Sequence, residues 1–222
     1  MFNFGVLAAA LPAAGGGGIT GTFQQATIDT TDAASYSFAS QPIGTASASR
    51  RVVVAIGWAA ATAITLSSVT IGGVSATIDA DSGNATGNRR VYFASAVVPT
   101  GTTATVAVTL SATAVRIGIG LWTLSGGSPT GQTAAVLNAA SGTLTVTTAT
   151  NDVVLAAGFA SHTANSITTT WTGATERYDG QIETVFNAHT GADVVASGTS
   201  TAIGFSNDVV TTQRAHLAVA YA

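Results

Sequence analysis

Between Ala34 and Ala222, apolar and polar residues alternate in short runs broken by Gly, Asn, Asp, Ser and Pro. Helical periodicity is nearly absent, and a period of two predicts strands. The clearest run is Thr103–Ser111, with Ala104, Val106, Val108 and Leu110 on one face and Thr105, Ala107 and Thr109 on the other. Val69–Thr77 reads as a hairpin, because Gly72-Gly73 supplies the positive φ angles of a two-residue turn. Further strands are expected at Ser35–Ala39, Arg51–Trp58, Arg90–Val97, Val115–Leu124, Leu144–Thr148, Asp152–Ala160, Ile167–Trp171, Glu183–Ala188, Ala202–Ser206 and Arg214–Tyr221. About twelve strands predict an all-β, antiparallel β-sandwich or jelly roll.

The pattern repeats weakly after about 100 residues. Val52–Trp58 (VVVAIGW) matches Val153–Phe159 (VVLAAGF), and the turn at Thr70–Thr77 is similar to Thr170–Thr175. Each half closes on a strand led by arginine, Arg116 or Arg214, and Ser125–Gln132 would join them. Residues 19–222 are therefore expected to form one sandwich of two related halves. The alternative is two tandem immunoglobulin-like domains, 19–126 and 133–222.

Large residues Val52, Val54, Ile56 and Trp58 share one face of their strand, and Val53, Ala55 and Gly57 share the other. Val154, Ala156 and Gly158 form the matching small face, and Gly118 and Gly120 align in the strand from Arg116. Such a face permits close approach of another layer, either a loop of the chain or a neighbouring subunit.

The segment Met1–Gly18 (MFNFGVLAAALPAAGGGG) stands apart from this pattern. It lacks the leading Lys or Arg of a signal peptide, and Pro12 and the glycines interrupt it too early to span a bilayer. It reads as an apolar arm on a Gly15–Gly18 hinge. Phe2, Phe4, Val6, Leu7 and Leu11 would anchor it to a partner or a sister subunit.

Composition sharpens the picture. Charged residues are 8% of the 222, so Thr, Ser, Ala, Gly and Asn must build the surface. All seven cations are arginine and the net charge is −3, which argues against a nucleic-acid binder. Sparse charge also weakens repulsion between copies and favours a homo-oligomer, for which a trimer is one candidate. Without cysteine there are no disulfides or thiolate metal sites.

No constellation of residues predicts catalysis, a metal or another cofactor. His162, His189 and His216 lie far apart in sequence; His216 is expected to face outward and the other two to sit in loops. No G-x-S-x-G occurs. Asp79–Asn84 has the oxygen density of a calcium loop without its order, and reads as a polar turn. Trp171, Glu176, Tyr178, Asp179 and Glu183 could present a ring and acids to a glycan, against the plainer reading of a solvated turn. The pairs Arg50-Arg51 and Arg89-Arg90 begin strands, so one member of each pair could face a carboxylate on a partner protein, which the resemblance below would make a capsid partner.

The series VVVAIGW, SSVTIGGVSATI, VVPTGTTATVAVTLS and AVRIGIGLWTLSG resembles virion proteins of tailed bacteriophages, of the kind found in phages of alphaproteobacteria. The second half, with NDVVLAAGF and WTGATERYD, continues the resemblance to Ala222. It implies a non-enzymatic particle component: a head decoration, cement or head-fibre protein, or a tail protein. Its partners would be the major capsid protein or tail proteins. Assembly would take place in the bacterial cytoplasm, without membrane or nucleic acid. A tail-associated carbohydrate-binding module is the alternative.

Overall fold

The computed structural model describes residues 18–83, 88–126, 131–182, 187–210 and 213–222, without the side chains of 131–134. Within them the chain is all-β and its sheets are antiparallel. The first half runs β1 (Thr20–Asp29), β2 (Ala33–Pro42), β3 (Arg51–Ala59), β4 (Leu66–Ile71), β5 (Val74–Ser75), β6 (Thr77–Asp81), β7 (Arg89–Val97), β8 (Thr103–Ala114) and β9 (Arg116–Ser125). The second runs β10 (Gly131–Val136), β11 (Ser141–Thr147), β12 (Val153–Ser161), β13 (Thr169–Thr172), β14 (Thr175–Gln181), β15 (Asn187–Val195), β16 (Ser200–Asn207) and β17 (Gln213–Tyr221).

These seventeen strands form four sheets. Sheet I has the order β1-β9-β3-β7-β6 and sheet II β2-β8-β4-β5; sheet III has the order β10-β17-β12-β15-β14 and sheet IV β11-β16-β13. No sheet mixes strands of the two halves. Reading β1 as β10, β2 as β11, β3 as β12, β4 as β13, β6 as β14, β7 as β15, β8 as β16 and β9 as β17 carries one half's strand orders onto the other's; β5 alone has no counterpart. The weak sequence repeat is thus a repeat of topology.

Alternating patterns decide which sheets meet. Val106, Val108 and Leu110 of β8 pack with Val52, Val54, Ile56 and Trp58 of β3, joining sheets I and II. Leu144, Val146, Val154, Ala156, Trp171 and Phe205 join sheets III and IV. A third core lies between sheets I and III, where Val53, Ala55, Phe93 and Trp122 meet Val153, Leu155, Phe159, Leu217 and Tyr221. Strands buried on both faces read as unbroken apolar runs, as Val52–Ala59 of β3, Val153–Ala160 of β12 and Leu217–Tyr221 of β17 do.

The repeated heptapeptide is used inside out. Val52, Val54, Ile56 and Trp58 face their own half's second sheet, whereas Val153, Leu155, Ala157 and Phe159 face the other half. A one-residue offset turns every side chain to the opposite face. The small face of the second heptapeptide, Val154, Ala156 and Gly158, is filled in turn by Trp171, Phe205 and His216. The small face of sheet I is covered neither by a loop nor by another subunit, but by sheet III of the same chain.

β15 runs Asn187–Val195, overlapping the expected Glu183–Ala188 only at Asn187 and Ala188, and four strands escape the sequence pattern altogether: β1, β6, β10 and β14. They are the four edges of sheets I and III. These four are half-exposed and more polar, so their alternation is blunted, as in the TIDAD of β6, whereas the edges β2, β11 and β13 of sheets II and IV keep theirs by packing one face on a core.

Candidate functional site

The richest clustering of polar and aromatic side chains lies between sheets I and III. Gly57 and Gly118 are direct neighbours on β3 and β9, and Gly120 pairs with Ala55, leaving a trough in sheet I. Into it fit His189, Phe159 and Tyr178; a Cβ on Gly118 would lie 2.8 Å from His189, and one on Gly120 2.5 Å from Tyr178. Tyr178 stacks on Phe23 at 5.7 Å between ring centroids and packs against Trp122 and His189.

Asp193 sits at the centre of this contact. Its Oδ2 accepts the Trp122 indole N–H at 2.7 Å, and Arg177 donates to both its oxygens at 2.8 Å. Two further bonds cross the layers: the Tyr221 hydroxyl donates to Asp79 Oδ2 at 2.8 Å, and Arg89 Nε donates to Ser161 Oγ at 2.6 Å.

The expected glycan platform is therefore corrected. Trp171 is buried in the core between sheets III and IV, with its indole N–H bonded to Thr190 Oγ1. Tyr178 points to the opposite side of sheet III, and its ring is covered by Phe23, Trp122 and His189. Neither ring offers a free stacking face. Glu176 is exposed, whereas Asp179 is partly buried and accepts the Thr169 amide at 2.7 Å. Burial, with Glu176 and Asp208 nearby, pushes the Asp179 carboxyl up to about 6. Glu183 lies outside the described residues.

The arginine pairs resolve into four different environments. Arg50 is fully buried, which corrects its reading as a capsid-facing charge. Its guanidinium donates to the carbonyls of Val98 (2.8 Å), Gly44 (2.7 Å), Gly101 (2.9 Å) and Thr100 (2.7 Å), tying two loops together. Arg51 donates to Ser95 Oγ at 3.0 Å. Arg89 also reaches the Ala60 carbonyl, and burial pushes it down to about 10, so it stays charged. Arg90 clamps both oxygens of Asp81 and lies over the Tyr92 ring at 4.9 Å. Burial alone would raise the Asp81 carboxyl, but the bonds from Arg90 and Gly83 hold it below the usual range. Asp79 and Asp81 belong to a strand, and a bulge between Ile78 and Ala80 sends them to different partners, so the calcium-like spacing does not become a calcium loop.

Two histidines overturn expectation. His216 does not face outward: it is fully buried and stacks on Phe205 at 3.9 Å, with no hydrogen-bond partner at either ring nitrogen. His189 sits on β15 between the sheets, not in a loop; its Nε2 lies 3.3 Å from the Tyr178 hydroxyl and its Nδ1 has no partner. Burial lowers both to about 3, so both are neutral. His162 does lie in a loop, where its Nδ1 accepts the amides of Ala164 and Asn165. Among the described residues no three His, Asp or Glu side chains come together as metal ligands.

The arm residues Phe2, Phe4, Val6, Leu7 and Leu11 lie outside the described residues. Close to where the described chain starts, a cleft of about 360 Å³ opens between the ends of β1 and β9 and the loop after β2. Thr22, Gln24, Gly44, Thr45, Ala46, Ser47, Thr123 and Ser125 line it together with Arg50, a site no sequence motif announces. No family model, curated protein or solved structure matches the chain.

Proposed function

We propose that this protein is a structural component of a bacteriophage particle, a head decoration, cement or head-fibre subunit held to the capsid by Met1–Gly18. The observation that carries this reading is the distribution of charge. No strand of sheets II and IV contains a single Asp, Glu, Lys or Arg; the charged residues of the described strands all lie in sheets I and III. The exposed positions of the outer sheets are mainly hydroxyls: Ser35 and Ser37 of β2, Thr103, Thr105 and Thr109 of β8, Ser141, Thr143, Thr145 and Thr147 of β11, and Ser200 and Ser206 of β16.

A face without ions can be buried against a neighbour without desolvating charge, and it does not repel further copies. The residues able to do chemistry, His189, His216, Asp193 and Trp122, are taken up in packing. The resemblance of the strand and turn series to tailed-phage virion proteins points the same way. The test is incorporation. Particles lacking the protein are incubated with the full chain or with a chain beginning at Ile19. The full chain is expected to sediment with the particles and the shortened chain to stay in solution, both with the same circular dichroism. Equal sedimentation of the two would overturn the anchoring role.

A further inference from the structure

We propose that the cleft around Arg50 is a binding site for a small hydroxylated monocarboxylate, of the chemical class of the sugar acids. All four hydrogen bonds of the buried guanidinium end on carbonyl oxygens, and no carboxylate partners it among the described residues. Carbonyl dipoles solvate the cation but leave its unit charge uncancelled, and one of its five N–H groups, on Nη2, stays unassigned. The cleft wall contains no Asp or Glu. An uncompensated positive charge under a polar recess favours an anion.

The rest of the lining selects among anions. The hydroxyls of Thr22, Thr45, Ser47 and Ser125 are exposed or half-exposed and have no hydrogen-bond partner among the described residues, and the Gln24 amide beside them donates to the Thr22 carbonyl at 3.3 Å. Thr123 Oγ1 is engaged, donating to the Ile43 carbonyl at 2.9 Å. One fixed cation matches one negative charge, whereas a phosphate dianion would call for a second. Unpartnered hydroxyls suit a ligand that carries hydroxyls itself. A volume of about 360 Å³ falls at the small end of ligand pockets and admits a molecule of one sugar ring.

Binding is measured by calorimetry on the full chain with glucuronate, and with glucose as the uncharged control. Replacing Arg50 would release two loops and confound folding, so the cleft is altered at its rim. Thr22→Asp places a negative charge there on an exposed position of β1, and Ser47→Leu obstructs it without touching the Arg50 bonds. Saturable glucuronate binding is expected, with glucose silent. Thr22→Asp should weaken it by about tenfold or more, and Ser47→Leu should abolish it, with melting temperatures unchanged. Equal binding of glucose, no saturable binding of glucuronate, or unaltered affinity in both variants would each overturn the proposal.

Discussion

Trp122 of the first half donates its indole N–H to Asp193 of the second, with Nε1 and Oδ2 2.7 Å apart. Trp122 is one of sixteen buried residues in the core where sheets I and III meet. That bond explains why Asp193 tolerates 8% exposure: Trp122 and both arms of Arg177 satisfy its oxygens. Asp193→Ala orphans the buried Trp122 indole N–H but leaves Arg177, 37% exposed, to water, and should cost about 2–4 kcal/mol. Trp122→Phe keeps the ring but leaves one carboxylate lone pair dry, and should cost about 1–3 kcal/mol. Urea unfolding of both variants would check the order, with Asp193→Ala the costlier.

The trough in sheet I makes a steric prediction. Gly120→Ala would bring a methyl to 2.5 Å from the Tyr178 ring, which is wedged between Phe23 and Trp122 and cannot retreat. Overpacking of this kind should cost about 1–3 kcal/mol. Gly198→Ala, with nothing within 4 Å of the new methyl, should be neutral within about 0.5 kcal/mol. Comparable losses for the two would contradict the tight apposition of sheets I and III.

Acid should loosen the fold through its histidines. Unfolded, each titrates near 6.5, while His189 and His216 are held at about 3. Below about pH 6.5 the unfolded chain takes up protons that the folded chain refuses, so stability is complete above that pH and declines toward pH 3. Asp179, raised to about 6, opposes this down to about pH 4, because its folded form holds a proton more tightly. His216→Phe keeps the stack on Phe205 and removes two unpartnered ring nitrogens. It should raise stability at pH 7 by about 1 kcal/mol and flatten the acid slope by about 1.4 kcal/mol per pH unit. An unaltered slope would show that His216 protonates in the folded state.

Charge introduced on an outer sheet separates association from stability. Thr105 and Thr145 are exposed on β8 and β11. Thr105→Lys and Thr145→Lys should each shift stability by less than about 0.5 kcal/mol, yet reduce incorporation into particles measured by sedimentation. Full incorporation of both variants would remove the argument from uncharged faces.

The alternation of Ala104, Val106, Val108 and Leu110 was readable because β8 is central and one-sided. Positive φ at Gly72 and Gly73 was equally readable, since no side chain competes there. The edges β1, β6, β10 and β14 of sheets I and III were not, because they carry no sustained apolar face, unlike the edges β2, β11 and β13 of sheets II and IV. The heptapeptide repeat was legible as sequence but not as orientation: whether Val53 or Val52 looks toward the chain's other half depends on which sheet finds which. Trp171 and Tyr178 are seven residues apart, yet sheet III separates their rings. Arg50 reads as a surface charge because nothing local shows that the carbonyls of Val98, Thr100 and Gly101, about fifty residues on, converge on it with that of Gly44.

The most direct measurement is the copy number of this chain in purified, nucleic-acid-filled particles, by quantitative mass spectrometry against the major capsid protein. A virion subunit is expected in a fixed, multi-copy ratio that survives gradient purification. Its recovery only in the unassembled fraction, as a monomer, would contradict the account.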